Sequence, residues 1–343
     1  MPLPFLTSRT MSRAPLTMAP TLLVVVDTEE EFDWGKPLSR AETAVDHIRH
    51  QDRAQRIFER HGIRPTYVVD FPVATQATGY QPLREWLQDG RCQIGAHLHP
   101  WVNPPFEEEL SPRNSYPGNL PPSLERAKLL QLTEAIEHSF GRRPTIYKAG
   151  RYGIGPATSA LLEELGYEID LSVVPRTSFD RDAGPDFSGF GDDPFWFGPS
   201  GRLLEIPLTV GWCGLLRGFG AVLQPGLLSE LGLRLHLPGV CARLGLFERI
   251  RLSPEGMSFD ELRRLTDTLL AAGQRLFSFT YHSPSLVPGN TPYVRDEAEL
   301  ARFTGLIERY CDYFIGACGG TGGTPQEVRA LLQDRRDRAD AAA

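Results

Sequence analysis

Short apolar, β-branched runs alternate with longer amphipathic stretches along the chain, and this alternation predicts repeated strand–helix units about a mostly parallel sheet. The runs at 21–26, 65–69, 93–97, 145–149, 168–173, 203–207 and 276–281 predict strands. Helical periodicity predicts helices between them at 43–61, 81–88, 123–140, 156–165 and 258–272, and a last one at 297–313. Gly62, Gly90, Gly141, Gly166 and Gly273 stand where several of these should stop, as expected of a residue that takes the left-handed turn at a helix end without steric cost. The pattern predicts an α/β fold, a distorted (β/α) barrel of about seven parallel strands with a helical insertion. On this reading residues 1–20 are a flexible N-terminal tail, 21–320 the barrel with its insertion at 208–252, and 321–343 a C-terminal helix and tail.

Polar residues gather where such a fold builds its sites. Asp27, Glu29, Asp70, His97, His99, Arg151, Glu205 and His282 all fall at or just beyond the C-terminal ends of predicted strands, which converge on one face of a barrel. The run Val24-Val25-Val26-Asp27-Thr28-Glu29-Glu30-Glu31-Phe32-Asp33-Trp34 carries an apolar strand straight into carboxylates and an indole. On extended backbone Asp27 and Glu29 point the same way, so they can share a metal or divide metal binding from proton transfer; a solvated acidic loop is the other reading. In Gly95-Ala96-His97-Leu98-His99-Pro100-Trp101 the two imidazoles share one side and can chelate one divalent ion. With Glu29 they make three protein ligands, which leaves positions for water and substrate. Arg151, between Gly150 and Gly153, can hold Asp27 by a bidentate pair. His282 can give a proton to a departing amine. Its neighbour Ser283 lacks the G-x-S-x-G surroundings of a serine-hydrolase nucleophile.

Composition narrows the partners. The 343 residues are 41% hydrophobic and 23% charged, ordinary for a globular chain, with a formal charge of −7 and no basic stripe, which argues against nucleic acid. Five scattered cysteines argue against a disulfide framework or a zinc–cysteine site. No apolar run approaches the roughly 20 residues of a membrane span, and the N-terminal segment lacks the core of a signal peptide, so a cytoplasmic location is expected. The stretch 208–252 is rich in Leu and Gly and carries five arginines against two glutamates. It reads either as helices packed on the barrel's flank or as a lid touching the anionic lipid of a lipid-linked sugar or a membrane surface.

Taken in order, these clusters resemble the polysaccharide deacetylases of carbohydrate esterase family four, the NodB-homology enzymes, over about residues 21–293. The family's T-F-D-D motif corresponds to Val25-Val26-Asp27-Thr28-Glu29, with Asp27 as catalytic base and Glu29 taking the place of the second, metal-binding Asp. Its H-[ST]-x-x-H pair begins at His97 but meets Trp101 four residues on, so His99 takes over as second ligand. Arg151 matches the arginine that braces the base, and His282-Ser283-Pro284 the motif that supplies the acid. The D-x-x-D-W motif is not recognisable, and Glu205 or Asp170 is the expected substitute. These departures resemble a subgroup found with bacterial surface-polysaccharide genes, with D-T-E-E-E-F-D-W, G-A-H-L-H-P-W and H-S-P-S-L at these places. The resemblance implies metal-dependent hydrolysis of an N-acetyl or O-acetyl group on an amino sugar or polysaccharide. Water would be activated by Asp27 and one divalent metal, zinc foremost, with cobalt, nickel or manganese as alternatives. Trp34, Asp70, Trp101, Tyr152 and Glu205 are the expected substrate-binding residues. Allantoinase-like hydrolysis of a small amide, or a degenerate module that binds glycan without cleaving it, are the competing readings.

Overall fold

The computed structural model describes residues 9–342. Its strands are β1 (Thr10–Met11), β2 (Thr21–Thr28), β3 (Thr66–Val69), β4 (Gln93–Leu98), β5 (Ile146–Ala149), β6 (Ile169–Asp170), β7 (Phe195–Phe197), β8 (Leu203–Glu205), β9 (Val210–Cys213), β10 (Glu248–Arg251), β11 (Leu276–His282) and β12 (Thr321–Gly322). Its helices are α1 (Asp52–Arg60), α2 (Phe71–Thr75), α3 (Ala77–Gln88), α4 (Pro122–Phe140), α5 (Thr158–Leu165), α6 (Gly220–Leu227), α7 (Glu230–Arg234), α8 (Leu237–Arg243), α9 (Phe259–Ala271), α10 (Glu297–Asp312) and α11 (Pro325–Ala342). In space β8, β6, β5, β4, β3, β2 and β11 lie side by side, all parallel. β7 and β1 extend one edge antiparallel, and β12 pairs with the start of β2. Among the described residues β11 and β1 do not pair, so the sheet curls into an open, distorted half-barrel instead of closing.

Side-chain alternation sorts the core into two layers. On β2, Leu22, Val24 and Val26 pack with Phe58 of α1, Leu83 of α3, Leu132 of α4, Leu265 of α9 and Ile307 of α10. Leu23 and Val25 face the inner layer of Val68, Ile146, Ile169, Leu204 and Leu276, against which Val328 and Leu332 of α11 pack. The same inner rows run on toward the strand C-termini as Asp27 on β2, His97 on β4, Lys148 on β5, and Thr280 and His282 on β11. Register aligns them, for Asp27 lies opposite His282 and His97 opposite Lys148. Gly95 permits the close approach of β4, since a Cβ there would come within 2.9 Å of the Ile146 carbonyl oxygen and of Val68.

Several expectations change. The segment from Arg9 is docked, not flexible: Thr10 and Met11 pair with Trp196 and Phe195, covering an apolar sheet edge, and Ala14 is buried. Residues 1–8 of that expected tail lie outside the described residues. The insertion is not purely helical, because β9 and β10 pair antiparallel as a small sheet of their own and α6–α8 fill the connection between them. The strand expected over 168–173 shortens to β6, and the helix expected over 43–61 is α1 preceded by a 3₁₀ turn at Asp46–His50. No described helix is long and apolar enough to cross a membrane.

Candidate active site

Asp27 reaches the C-terminal end of β2 almost wholly buried, in a place where an unpaired carboxylate would be strongly disfavoured. Its partner is Lys148, also buried, whose Nζ donates to the two Asp27 oxygens at 2.5 and 2.7 Å and to Thr280 Oγ1 at 3.2 Å. Burial pushes the Asp27 carboxyl up, but Lys148, His97 and His282 outweigh it and leave the pKa below the ordinary value. His282 Nε2 lies 3.7 Å from Asp27 Oδ2. Its other ring nitrogen, Nδ1, lies 2.8 Å from Glu255 Oε2, and its backbone N–H donates to Glu255 Oε1 at 3.0 Å. Glu255 is buried, yet His282 and Arg251 hold its pKa below normal against that burial, so an ionised carboxylate faces Nδ1 and fixes the proton there.

Next to this pair stand Glu29, His97 and His99, all buried, their ligand-type atoms within 4.8 Å of one another. Glu29 Oε2 is 3.5 Å from the Nε2 of each histidine. Donors held 2.0–2.1 Å from a common tetrahedral centre sit about 3.4 Å apart, so the spacing suits a zinc-sized ion. The outward nitrogens are tied down as metal-ligating imidazoles require. His97 Nδ1 contacts the Lys148 carbonyl oxygen at 2.9 Å, an acceptor only, which leaves the Nε2 lone pair facing inward. His99 Nδ1 meets Glu30 Oε2 at 2.8 Å, and Trp101 Nε1 donates to the other Glu30 oxygen at 2.7 Å while its ring stacks on His99. Burial drives the pKa of both histidines down, His99 to about 4, so both are neutral at pH 7. Burial, then Glu30, Asp27 and Asp70, push Glu29 well up, and its Oε1 has no hydrogen-bond partner among the described residues. Two neutral imidazoles and an uncompensated buried carboxyl are a donor set that a divalent cation would stabilise.

Asp27, Glu29, His97, His99, Arg151 and His282 all line one cleft of about 490 Å³. Trp34, Trp101 and Tyr152 line it too, joined by Phe179, Arg251 and Tyr293. Trp34 meets His282 edge-on at 4.9 Å. Other assignments are corrected. Arg151 does not brace Asp27: it lies past the end of β5 in left-handed backbone (φ 53°), leaves the inner row, donates to Ser115 Oγ at 2.5 Å and covers the Tyr116 ring. Asp70 is outside the cleft, where it accepts the Glu30 N–H at 2.6 Å and caps α2 through the Val73 N–H at 2.8 Å. Glu205 is buried against Asp170, accepting the Val173 N–H at 2.9 Å, so neither substitutes as the partner of His282. That partner is Glu255, from the Ser253-Pro254-Glu255-Gly256 turn after β10. Ser283 Oγ does meet His47 Nε2 at 2.7 Å, with His47 Nδ1 3.0 Å from Glu31, a nucleophile-like array. It is buried beneath the cleft, however, and serves to accept the Glu29 N–H at 3.3 Å.

No family model matches the sequence, and no curated protein matches it. In fold the chain is similar to a candidate polysaccharide deacetylase from Pseudomonas aeruginosa PAO1, with a TM-score of 0.56 at 17% identity over 98% of each chain. A candidate polysaccharide deacetylase from Mycobacterium smegmatis gives 0.55 at 16% identity, over 95% of this chain and 96% of that one. Puue allantoinase gives 0.52 at 17% identity, over 96% and 95%. The chain thus has the half-barrel fold of the deacetylase structures, which allantoinase shares.

Proposed function

We propose that this chain is a metal-dependent hydrolase that removes an acetyl group from the nitrogen of an amino sugar in a glycan. The carrying observation is that Asp27, clamped by Lys148, and His282, held by Glu255, face each other beside the Glu29–His97–His99 donor set in one cleft. Glu29, His97 and His99 would hold one divalent ion, zinc before cobalt, nickel or manganese. Such an ion supplies Lewis acidity toward an acyl oxygen and lowers the pKa of water.

The protein's own groups account for the proton traffic. Asp27, kept ionised by Lys148, accepts the proton of the attacking water. His282, its Nδ1 held by Glu255, donates from Nε2 to the nitrogen as the C–N bond breaks. Arg151 and Tyr152, consecutive residues at φ 53° and 61°, turn the backbone at the cleft wall, and the Tyr152 N–H is the proposed donor to the developing oxyanion. Trp34, Tyr152, Phe179 and Tyr293 line the cleft with aromatic surface suited to a sugar.

The fold likeness to an allantoinase favours, as a second reading, a small cyclic amide as substrate. The aromatic walls of the cleft argue for the sugar. Mass spectrometry of acetylated amino-sugar oligosaccharides after incubation with the zinc-loaded protein, run beside allantoin, decides between them. Loss of one acetyl group from the sugar supports the proposal. Turnover of allantoin alone overturns it, and absence of both metal uptake and turnover assigns the chain to a binding module.

A further inference from the structure

Among the described residues, eleven of the seventeen exposed large apolar side chains fall within 215–244, between β9 and β10. Val222 is 79% exposed, Leu215 78% and Leu231 66%. Scattered apolar residues are normal on a protein surface, whereas a concentration like this one marks an interaction site. The segment folds as α6, α7 and α8, short helices that pack on one another in sequence and onto β10, leaving these side chains outside. Its charges are Arg217, Arg234 and Arg243, all exposed, against Glu230 alone, and none of the three arginines is in an ion pair among the described residues.

We infer that residues 214–247 are a docking cap that seats on an anionic lipid bilayer. The apolar side chains would enter the boundary between headgroups and acyl chains, and the arginines would meet lipid phosphates. The chain as a whole carries −7 and is repelled by such a surface, so the local excess of positive charge also orients it, cap inward. Charge disfavours a second copy on the same patch, because a symmetric contact would bring unpaired arginines against their like.

The cap is tied to the cleft wall. Arg181 donates to the Leu228 carbonyl at 3.3 Å and Gln224 Nε2 donates to the Arg176 carbonyl at 2.7 Å. Phe179 and Asp182 of that same wall line the cleft, as does Arg251 at the end of β10. Docking therefore sets the cleft beside the headgroup layer, where a glycan carried on a lipid would be presented. That last step rests on the glycan reading above, and the docking itself does not.

The test is co-sedimentation of the full chain, at low salt, with vesicles of phosphatidylcholine plus phosphatidylglycerol and with phosphatidylcholine alone. Binding to the anionic vesicles is expected. It should fall about fivefold for each basic residue removed in Arg217→Gln/Arg243→Gln, and should be lost in Val222→Ser/Leu231→Ser with circular dichroism and thermal unfolding unchanged. No sedimentation of the unmodified chain with anionic vesicles overturns the inference, and so does binding that neither variant weakens. A concentration-dependent dimer, dissolved by Val222→Ser/Leu231→Ser and unaccompanied by vesicle binding, overturns it in favour of a second copy. Because the readout is bound mass, a failed deacetylase assay leaves the outcome unaffected.

Discussion

Replacing Lys148 by methionine removes the cation that holds Asp27 while roughly keeping the side-chain volume. Lys148 has no solvent exposure, and its contacts to Asp27 at 2.5 and 2.7 Å are charge-assisted. Breaking a buried pair by deleting one partner costs roughly 3–5 kcal/mol, because the other charge is left uncompensated. Protonation of Asp27 limits the loss at about 1.4 kcal/mol per pKa unit, so the expected cost lies near the low end, about 3 kcal/mol. In the native protein the folded Asp27 pKa lies below the unfolded one. The pair therefore contributes stability that is complete above the unfolded pKa and lost as pH falls through the folded pKa. In Lys148→Met burial dominates and the folded pKa rises above the unfolded one. Asp27 then destabilises at neutral pH, and the penalty fades as pH falls through the new folded value. Urea unfolding with chelator present should give a wild-type-to-variant difference that is largest at about pH 8 and shrinks toward about pH 5. Asp27→Asn/Lys148→Met should be more stable at neutral pH than Lys148→Met alone. A difference independent of pH, or one below about 1 kcal/mol at neutral pH, refutes the clamp, since a buried pair broken on one side cannot be that cheap.

The remaining predictions follow from the same geometry. Glu255→Gln leaves the shape of the His282 pocket but removes the carboxylate that holds Nδ1 and orients the ring, so steady-state turnover should fall about 10²-fold or more with KM little changed; turnover within twofold of wild type would dismiss Glu255 as the partner of the acid. His97→Ala should abolish zinc uptake measured by mass spectrometry of the metal, whereas Asp27→Asn should keep the metal and lose about 100-fold in turnover; equal metal loss in both would move Asp27 into the ligand set. Arg151→Met should leave unfolding stability within about 0.5 kcal/mol and the acid limb of the pH–rate profile in place, because it touches Ser115 and Tyr116 and not Asp27; a displaced acid limb would return the brace to Arg151.

The strand–helix alternation made the fold legible because the parallel strands are short, mostly buried apolar runs set between amphipathic helices. Sheet closure was not legible: it turns on whether β11 finds a partner beyond β2, which no local period encodes. For the brace of Asp27, strand parity is the better signal than the motif match. Counting by twos from Ile146 reaches Lys148 on the inner side, and a lysine inside a wholly buried strand must have a partner, whereas Arg151 lies beyond Gly150, where the chain has already turned. Glu255 carried no such signal, for a Ser-Pro-Glu-Gly turn has ordinary loop composition and acquires meaning only when β10 and β11 bring it under His282. Asp70 and Glu205 show the converse, since a carboxylate at a strand end can face the packing as readily as the cleft.

The run Glu29-Glu30-Glu31 gains a physical account from the same alternation. Thr28 turns away from the cleft, its hydroxyl bonding the Val26 carbonyl at 3.0 Å, while Asp27 and Glu29 share the cleft side. Glu30 meets His99 Nδ1 and Trp101 Nε1, and Glu31 meets His47. An acidic run that would be solvated in a loop is here divided between His99, which Glu29 and Glu30 both meet in the interior, and the half-buried contact of Glu31 with His47. The two departures from the deacetylase pattern that the sequence resembles then belong together. The proposed ligand Glu29 stands at i+2 from Asp27 where the pattern it resembles has an adjacent one, and His99 stands at i+2 from His97 where that pattern has a histidine at i+4. Both shifts keep every donor on one side of extended backbone, and the position freed at 101 becomes a tryptophan that stacks on His99 and holds the carboxylate fixing its ring.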